Sequence, residues 1–499
     1  MTPLLPESAA PAPRRRVLAA AAAVAALAVL SGCADMGRVN DPARPRTAAE
    51  AGLPAPGAAP AVTIDSQWWH AFGDPQLDRL IDQALRDNPS LRVAQARLEK
   101  AQAAAEVAGA ARKPHLSAEV DVVRQHFSES SPYGYPFAGM TGTGGVGQLN
   151  AGWELDFFGK NRAALDAAVG AARAAAADAA AARVLLASNV ARGYLQWARL
   201  NAQLAVAERT LAQRDETLRL VRDRVSAGLD THLELRQSQG SLPEARGQIE
   251  ALREQLTLQQ HALDALVGQP NATQGLNPPA LDGIKSIALQ PVLPADLLGR
   301  RADIVAARWR VEAARQDVAG AKAQFYPNVN LMAFVGYEGA FPLTTWFSKD
   351  NMAWGVGPAV TLPIFEGGKL RGNLRGKTAD LDAAIESYNA AVLDAVRDVA
   401  DQITAIRSIT AQQQQQREAQ AAAEGAWQIA VQRYGAGLGN YLNVLTAETA
   451  VLAQRRQGVD LAARALDTQV ALARALGGGW QDDTDTRQAA APESAAATH

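Results

Sequence analysis

The reactive side chains of this sequence are not arranged for catalysis. Its six histidines lack the spacing of metal ligands, and no His-Glu-x-x-His motif occurs in the 499 residues. Residues 142–147, Gly-Thr-Gly-Gly-Val-Gly, match a dinucleotide-binding fingerprint by letter. That fingerprint requires a strand before it and a helix after it, whereas here a loop containing Pro and Tyr leads into a strand pattern. The sequence therefore predicts neither an enzyme, nor a metal site, nor a bound cofactor.

The single cysteine, Cys33, has a setting that predicts covalent chemistry of another kind. Three arginines at 14–16 precede an apolar run at 17–30 that is too short for a comfortable membrane span, which is typical of an export signal. The segment Leu30-Ser31-Gly32-Cys33 resembles the bacterial lipoprotein box. That resemblance implies that Cys33 is the first residue of the mature chain and carries a covalent lipid such as palmitate, with outer-membrane lipid as its partner.

Composition favours long helices and excludes one class of partner. Of the residues, 48% are hydrophobic but only 5% are aromatic, and alanine is abundant, which favours closely packed helices. The formal net charge is −2 and the pI is about 6.4, so no basic surface is predicted for a nucleic-acid backbone. We expect a mixed α/β membrane protein that is mostly α and does not bind nucleic acid.

Two stretches, 115–156 and 328–364, alternate apolar and polar residues with the period of two that is typical of β-hairpins. Each run is about ten residues long, which suits a tilted strand that crosses a bilayer. Four acidic residues are predicted to face a wet lumen: Glu119, Asp121, Glu154 and Asp156. The opposite, apolar faces are formed by Leu116, Ala118, Val120, Val122, Leu149, Ala151, Trp153, Leu155, Val329, Leu331, Ala333, Val335, Tyr337, Trp354, Val356, Pro358, Val360 and Leu362.

Apolar residues after each hairpin recur at helical spacing. Residues 160–226 contain no proline, and at 1.5 Å per residue they predict a rod of roughly 100 Å. A shorter helix from about 233 to 266, with Pro243 inside it, returns toward the start of the rod. Because the strands end where the long helices begin, the helices must project to one side of the membrane.

The order of helix, hairpin, long helix and shorter helix occurs twice. Pro114 and Pro327 are 213 positions apart, and Gly228 and Gly437 are 209 positions apart, each within a longer matching block. Two ungapped blocks indicate an internal duplication. We therefore divide the chain into a signal peptide (1–32), a lipidated tether (33–65), a first repeat (66–268), a linker (269–295), a second repeat (296–477) and a disordered tail (478–499).

Four membrane-length strands cannot close a barrel on their own. An open sheet edge in hydrocarbon leaves backbone groups unpaired at a cost of several kcal/mol each, so the chain must oligomerise. Three copies would supply twelve strands, enough for a barrel with a water-filled lumen. We expect a homotrimer in which a hollow helical tube continues the barrel.

Several short segments distributed along the chain form a combination that is typical of one protein family. They are Trp68-Trp69 with Phe72-Gly73-Asp74-Pro75, Trp153-Glu154-Leu155-Asp156-Phe157-Phe158-Gly159-Lys160, Arg300-Arg301-Ala302-Asp303-Ile304, Phe325-Tyr326-Pro327, Pro363-Ile364-Phe365-Glu366-Gly367-Gly368 and Arg433-Tyr434-Gly435-Ala436-Gly437. Together they resemble signature segments of outer-membrane factors, the TolC-like family, in particular its lipoprotein branch that serves resistance-nodulation-division efflux pumps. The resemblance implies a trimeric, twelve-stranded outer-membrane β-barrel continued by a periplasmic α-helical barrel. It also implies a periplasmic adaptor protein and an inner-membrane efflux transporter as partners.

The same resemblance implies a passive exit duct for small molecules such as drugs, with a gate at the periplasmic end. In the family this end closes where helices coil inward, held by polar contacts near the turns. Tyr434 and Glu234 occupy positions that would pair across neighbouring helices, while Asn443 and Thr446 stand where the best-known member has carboxylates. Gly439 stands where that member has a basic residue. The turn residues, expected to face the gate and the adaptor, are Gly228, Leu229, Gly437 and Leu438.

Two other functions fit part of the sequence. The exit duct of a type I protein secretion system would have the same architecture, although the lipoprotein box favours efflux. A periplasmic adaptor or scaffold lipoprotein would explain Cys33 and the helices, but not two strand hairpins and a whole-chain duplication. Ala34 stands where an aspartate would favour retention in the inner membrane, so we expect a lipid-anchored outer-membrane protein that extends into the periplasm.

Overall fold

A computed structural model describes residues 36, 43–54, 64–130, 138–287, 294, 296–339 and 347–481. The predicted signal peptide and Cys33 lie outside the described residues, as do residues 482–499 of the predicted tail. Parts of the predicted tether and linker also lie outside them.

Helices and strands follow each other in the same order twice. A 3-10 turn at Trp68–Phe72 precedes helices α1 (Pro75–Asp87) and α2 (Pro89–Ala110). Strands β1 (His115–His126) and β2 (Thr141–Leu155) come next, and then helices α3 (Lys160–Ser226) and α4 (His232–Val267). The second half contains α5 (Leu297–Arg300), α6 (Ala302–Ala323), β3 (Asn328–Gly339), β4 (Met352–Thr361), α7 (Lys369–Gly435) and α8 (Tyr441–Ala475).

The two halves keep a constant offset along the chain. Helices α2 and α6 each have 22 residues, and they start at Pro89 and Ala302, which are 213 positions apart. Helices α3 and α7 each have 67 residues, and they start at Lys160 and Lys369, which are 209 positions apart. Both offsets are those of the sequence blocks, so the duplication extends to the bounds of the elements.

The four strands form one antiparallel sheet in the order β1-β2-β3-β4. Its register aligns Ala118, Leu149, Val335 and Trp354 in one row across all four strands. Leu149, Val335 and Trp354 are between 42% and 70% exposed, although they are large and apolar. An apolar sheet face of this kind is expected to meet lipid rather than water.

The chain divides into two compact units. Of the described residues, those within Met1–Arg44, Glu99–Arg173 and Trp309–Glu386 form the strand unit, and those within Pro45–Leu98, Ala174–Arg308 and Ser387–His499 form the helical unit. In the helical unit, Trp69, Phe72, Tyr194 and Trp197 are buried in one hydrophobic cluster with apolar residues of α1, α3, α4 and α8. Burial of large aromatic side chains makes this cluster the main anchor of that unit.

Small residues set the helix spacing in the strand unit. A β-carbon added at Gly170 of α3 would lie 3.1 Å from that of Ala313 of α6, and one added at Gly320 would lie 3.6 Å from that of Ala163. Beside them, the Arg173 guanidinium lies 4.4 Å from the ring centroid of Trp309. The close approach of α3 and α6 therefore depends on glycine at position 170, whereas the 3.6 Å distance at Gly320 is ordinary van der Waals contact.

Part of the predicted tether follows the second long helix. The Ala43 amide donates to the Asp382 carboxylate at 2.8 Å, and the Arg46 amide donates to the Asn389 side chain at 2.8 Å. Further on, Leu53 is buried in a cluster that includes Val392 of α7. The described part of this segment thus contributes to the packing of α7, although its composition predicts no core of its own.

Candidate gate at the helix turns

Both long helices end in the same type of turn. After α3, Gly228 has a φ of 71° and the Leu229 amide donates to the Arg224 carbonyl at 2.9 Å. After α7, Gly437 has a φ of 75° and Leu438 donates to the carbonyl of Arg433 at 2.8 Å. A left-handed residue is needed at this position, and glycine adopts it without steric cost. The predicted turn residues therefore have a backbone role in both repeats.

A three-residue cluster joins the first turn to the end of α7. The Tyr434 hydroxyl donates to the Asp230 carboxylate, and Arg224 donates to the same carboxylate at 2.9 Å. The Arg224 guanidinium also lies 4.6 Å from the centre of the Tyr434 ring. Arg224 and Asp230 belong to the first repeat and Tyr434 to the second, so the cluster ties the two repeats together at the turns.

Burial strengthens this cluster. The Tyr434 side chain is fully buried and packs with Val221, Tyr441 and Val444. Burial, followed by the hydrogen bond to the Asp230 carboxylate, raises the pKa of Tyr434, so its hydroxyl stays a donor. Burial acts to raise the pKa of Asp230 as well, but the hydrogen bonds from Arg224 and Tyr434 outweigh it and lower that pKa. The carboxylate is therefore ionised across the physiological range.

Within one copy, Glu234 and Tyr434 have different hydrogen-bond partners. It lies in the first turn of α4, where its carboxylate accepts from the Thr231 amide at 3.1 Å and from the Thr231 hydroxyl. The Thr231 side chain in turn accepts from the Leu233 amide, which completes a capping box. Within one copy Tyr434 thus bonds to Asp230 while Glu234 stabilises the start of α4, and a pairing of Tyr434 with Glu234 across neighbouring helices stays a prediction.

The other two gate candidates lie in the exposed first turns of α8. The Asn443 amide donates to the side chain of Asn440, which caps this helix, at 3.1 Å. The Thr446 hydroxyl donates to the Leu442 carbonyl of its own helix at 2.9 Å. Within one copy, these two positions are not brought to Tyr434, and a gate role for them stays a prediction.

Arg224 and Asp230 are functional candidates that the sequence patterns did not predict. A signal for Arg224 was present in the sequence, because Arg224 and Arg433 match at the offset of 209. The carboxylate gave no such signal, since the position equivalent to Asp230 is Gly439. A pair that exists in only one of two repeats cannot be found by comparing them.

A second polar cluster lies deeper in the helical unit. Arg214 of α3 donates to Glu448 of α8 at 3.0 Å and to the Ser241 carbonyl of α4 at 2.9 Å. The Arg214 and Glu448 side chains are only 10% and 12% exposed. Arg455 of α8 donates to Gln213 at 3.0 Å and also pairs with Glu424 of α7 at 3.0 Å. Four helices are therefore cross-connected at this level, roughly 15 Å along α3 from Arg224.

The predicted lumen acids have different surroundings. Glu119 accepts from Gln148 and Asn150 of β2, both at 3.3 Å, on the polar face of the sheet, whereas Asp121 is exposed farther along β1. Glu154 pairs with Lys160 at 2.6 Å. Asp156 follows the end of β2.

The Asp156 carboxylate accepts from the amides of Asn161 and Arg162 in the first turn of α3. Asp156 thus stabilises the start of α3. A role in the lumen stays a prediction for all four acids. Among the described residues, no group of three or more His, Cys, Asp or Glu could hold a metal ion.

Known proteins of similar sequence share one family. The family described as outer membrane efflux protein matches residues 80–269 and 293–478, one segment in each repeat. Fusaric acid resistance protein FusA of Burkholderia cepacia is 39% identical over 368 residues, which cover 72% of this chain and 69% of that protein. Multidrug resistance outer membrane protein MdtQ of Escherichia coli O157:H7 is 33% identical over 464 residues, covering 91% of this chain and 97% of that protein.

Solved structures of similar fold support the same family. The outer membrane protein VceC of Vibrio cholerae superposes with a TM-score of 0.79 at 37% identity, over 84% of this chain and 100% of that chain. The outer-membrane channel OprN superposes with a TM-score of 0.78 at 28% identity, over 89% and 99% of the two chains. These similarities confirm the predicted TolC-like architecture and the prediction of a channel rather than an enzyme. The chain belongs to the outer membrane efflux protein family.

Proposed function

We propose that this protein is the outer-membrane exit duct of a tripartite efflux system that exports small molecules passively, driven by an inner-membrane pump. The observation that carries the proposal is the exposed apolar face that runs through all four strands. It is supported by the hydrogen bond between Tyr434 and Asp230, which joins the two helix turns of the helical unit. Relatives named for fusaric acid resistance and multidrug resistance support small-molecule cargo. The duct itself supplies no energy, so cargo leaves by diffusion when the gate opens.

The Arg224–Asp230–Tyr434 cluster is the closing contact in this proposal. It joins the two repeats at the turns, because Tyr434 of the second repeat bonds to the Arg224–Asp230 ion pair of the first. Separating the repeats leaves that ion pair intact but breaks the hydrogen bond from the Tyr434 hydroxyl to the carboxylate and the contact of Arg224 with the Tyr434 ring. A hydrogen bond to a charged group is worth about 1.5–3 kcal/mol. The cluster therefore favours the closed state until a partner protein supplies a compensating contact.

The partner for that contact is a periplasmic adaptor protein. Each turn region has two leucines, one in the turn itself and one in the first turn of the helix that follows. All four are between 60% and 69% exposed: Leu229, Leu233, Leu438 and Leu442. Exposed apolar side chains at helix turns suit the tip of another helical hairpin. An adaptor that covers these leucines would bind directly beside the closing cluster and could shift it toward the open state.

Single-channel conductance in planar bilayers tests the gate. The double variant Tyr434→Phe with Asp230→Asn removes the hydroxyl donor and the carboxylate charge while keeping side-chain volume. We expect a small wild-type conductance that rises severalfold in this variant, because the cluster no longer holds the repeats together. The matched control is Glu234→Ala, which removes only the capping box and should leave conductance close to wild type. A double variant that conducts like wild type would place the gate elsewhere.

The lipid anchor is a separate part of the proposal. The Ala43 amide is held at Asp382, which lies 13 residues after the start of α7, or roughly 20 Å along that helix. Ala43 is ten positions after Cys33, and an extended chain of ten residues spans up to about 33 Å. A lipid on Cys33 can thus reach the level where the strands begin.

Labelling with palmitate in bacteria tests the anchor directly. Wild-type protein should incorporate the label, and Cys33→Ser should abolish it. If the Cys33→Ser variant is labelled equally, the anchor proposal fails while the duct proposal stands.

A further inference from the structure

The two repeats differ in how their long and short helices pack near the middle of the helical unit. In the first repeat, α3 and α4 share an apolar cluster made of Leu200, Leu204, Ala207, Leu211, Ile249, Leu252 and Leu256. At the offset of 209, the second repeat has Ile409, Gln413, Gln416, Gln420, Gly458, Leu461 and Ala465. Three glutamines of α7 and one glycine of α8 thus stand where the first repeat has four apolar side chains.

An open cleft lies at this level of the second repeat. Its volume is about 780 Å³, and it is lined by α3, α7 and α8 together with loop residues 278–282. All of these segments belong to the helical unit. The volume is within the range of pockets that hold small molecules, roughly 300–1,000 Å³.

The glutamines and the glycine produce this cleft. Gln416 donates to the Gln454 carbonyl of α8 at 2.7 Å, and Gln420 donates to the Glu424 carboxylate at 3.2 Å. A β-carbon added at Gly458 would lie 3.0 Å from the Gln420 side-chain oxygen. Glycine therefore leaves open, in the second repeat, the space that an isoleucine fills in the first.

The lining of the cleft is positively charged. It includes three arginines, whereas Asp282 is the one acid among the described residues that line it. The charge of Arg455 is compensated, because its guanidinium pairs with Glu424 at 3.0 Å. Arg209 of α3 and Arg417 of α7 are exposed, and neither has a carboxylate within 4 Å in the part of the chain that the structure describes. Two guanidinium groups from different helices are thus available to a ligand.

Neutral groups complete the lining. The side-chain nitrogen of Asn201 is buried and has no hydrogen-bond partner among the described residues. Apolar surface comes from Pro278, Leu281 and Val459. Guanidinium groups bind carboxylates and phosphates through paired N–H donors, and these hydrogen bonds are stronger than those between neutral groups. A molecule with an oxyanion group on an apolar body therefore matches both parts of the lining.

We propose that this cleft binds a small organic anion that carries a carboxylate or phosphate group on an apolar body. Arg209 and Arg417 bind the charged group from α3 and α7, and the loop at 278–281 covers the apolar part. The inference goes beyond the transport function, because it assigns a ligand to a cleft that the exit duct does not require.

Isothermal titration calorimetry of the full-length protein in detergent tests the proposal, with 2-naphthoate and 2-naphthyl phosphate as probes. At least one of these anions should bind, and the tighter of the two identifies the preferred charged group. Neutral 2-naphthamide has the same apolar body and should bind about tenfold more weakly or less, because it lacks the charge.

Two variants locate the bound anion. Arg209→Gln with Arg417→Gln should weaken its binding by about tenfold or more, because it removes both available guanidinium groups. The matched control is Arg183→Gln, which removes an exposed arginine of α3 outside the cleft and should leave the affinity unchanged.

A further variant fills the cleft and keeps its arginines. Gln413→Leu, Gln416→Ala, Gln420→Leu and Gly458→Ile together give the second repeat the residues of the first. This variant should lose anion binding, since apolar side chains then occupy the space. Circular dichroism and size-exclusion chromatography establish that each variant folds and assembles like wild type. If the filled variant does not fold, the exposed arginine pair still decides the outcome.

Three results would overturn the proposal. They are binding of neither anion, equal affinity for 2-naphthamide and the anions, and wild-type affinity in the double arginine variant. Unchanged affinity in a folded, filled variant would likewise place the anion outside the cleft. None of these measurements depends on conductance, so the proposal can fail while the duct proposal holds, and the reverse.

Discussion

The two helix turns at the gate share one backbone but differ in side-chain chemistry. In each, a glycine with positive φ ends a 67-residue helix, and a leucine amide bonds to the carbonyl of an arginine. The first turn adds the Asp230 carboxylate and the capping box of Thr231 and Glu234. The second turn has Gly439 and Asn440 at the positions equivalent to Asp230 and Thr231, and Asn440 alone caps the next helix.

This difference distinguishes the residues that the backbone conformation of the turns requires from those that side-chain contacts require. A left-handed residue is needed to end either long helix, and that requirement is local, so both repeats satisfy it with glycine. Ion pairs depend on which helix lies opposite, and the first long helix faces α8 in its own chain. Charges in the two repeats could therefore diverge without changing the length of any helix.

Among the tests of this difference between the two repeats, we expect the largest effect from breaking the buried ion pair Arg214–Glu448. We expect Glu448→Leu to lower the free energy of unfolding of the helical unit by about 3 kcal/mol, because the buried Arg214 guanidinium loses its shortest ion pair and keeps only the carboxylate of Glu244, at 3.4 Å. Chemical denaturation in detergent, followed by circular dichroism, measures the change. The matched control is Gln239→Leu at the equivalent position of α4, expected within about 0.5 kcal/mol of wild type.

Adding Arg214→Met to Glu448→Leu removes both charges and should recover most of the loss. Equal effects of Glu448→Leu and Gln239→Leu would contradict the view that the two repeats differ at this level.

A smaller effect is expected from giving the second turn the charge of the first. The variant Gly439→Asp places a carboxylate six residues after Arg433, as Asp230 follows Arg224. A β-carbon at Gly439 would lie 3.7 Å from the Arg433 β-carbon, which is ordinary contact. Because Arg433 is exposed, the new ion pair should stabilise the turn by only about 0.2–1 kcal/mol.

Hydrogen exchange of the amides in the second turn is the measurement for Gly439→Asp. Gly439→Asn, which adds similar volume without charge, is the control. Similar protection in both variants would show that the charge has no part in the effect.

The smallest effect is a pH dependence confined to the first turn. The pKa of Asp230 is lower in the folded protein than its ordinary value of 3.8. Its stabilising contribution is therefore complete above the ordinary pKa and is lost as pH falls through the lowered one. Conductance should stay constant from about pH 5 to 8 and rise only below about pH 4.

The Asp230→Asn variant should lack this acid response, because no carboxylate is left to protonate at that site. A wild-type opening transition above pH 5 would instead assign the gate to a group with a higher pKa.

Local signals in the sequence were sufficient for most of the architecture. Pro114 and Pro327 mark the ends of α2 and α6, and Gly228 and Gly437 mark the turns, because these residues restrict the backbone wherever they occur. The alternation within the hairpins predicted an apolar face, and the register of the sheet aligns that face across four strands. Even the capping role of Glu234 could be predicted, since Thr231-His232-Leu233-Glu234 fits the capping-box pattern.

Tertiary structure alone decided the contacts between the repeats. Tyr434 and Asp230 are 204 residues apart, and Arg214 and Glu448 are 234 residues apart. Their pairing depends on how α3 rotates against α7 and α8, which periodicity within one helix does not specify. The sequence thus determined the elements and their duplication, because these follow from backbone preferences and spacing. The side-chain contacts that join the repeats depend on packing between distant segments, so only the three-dimensional structure shows them.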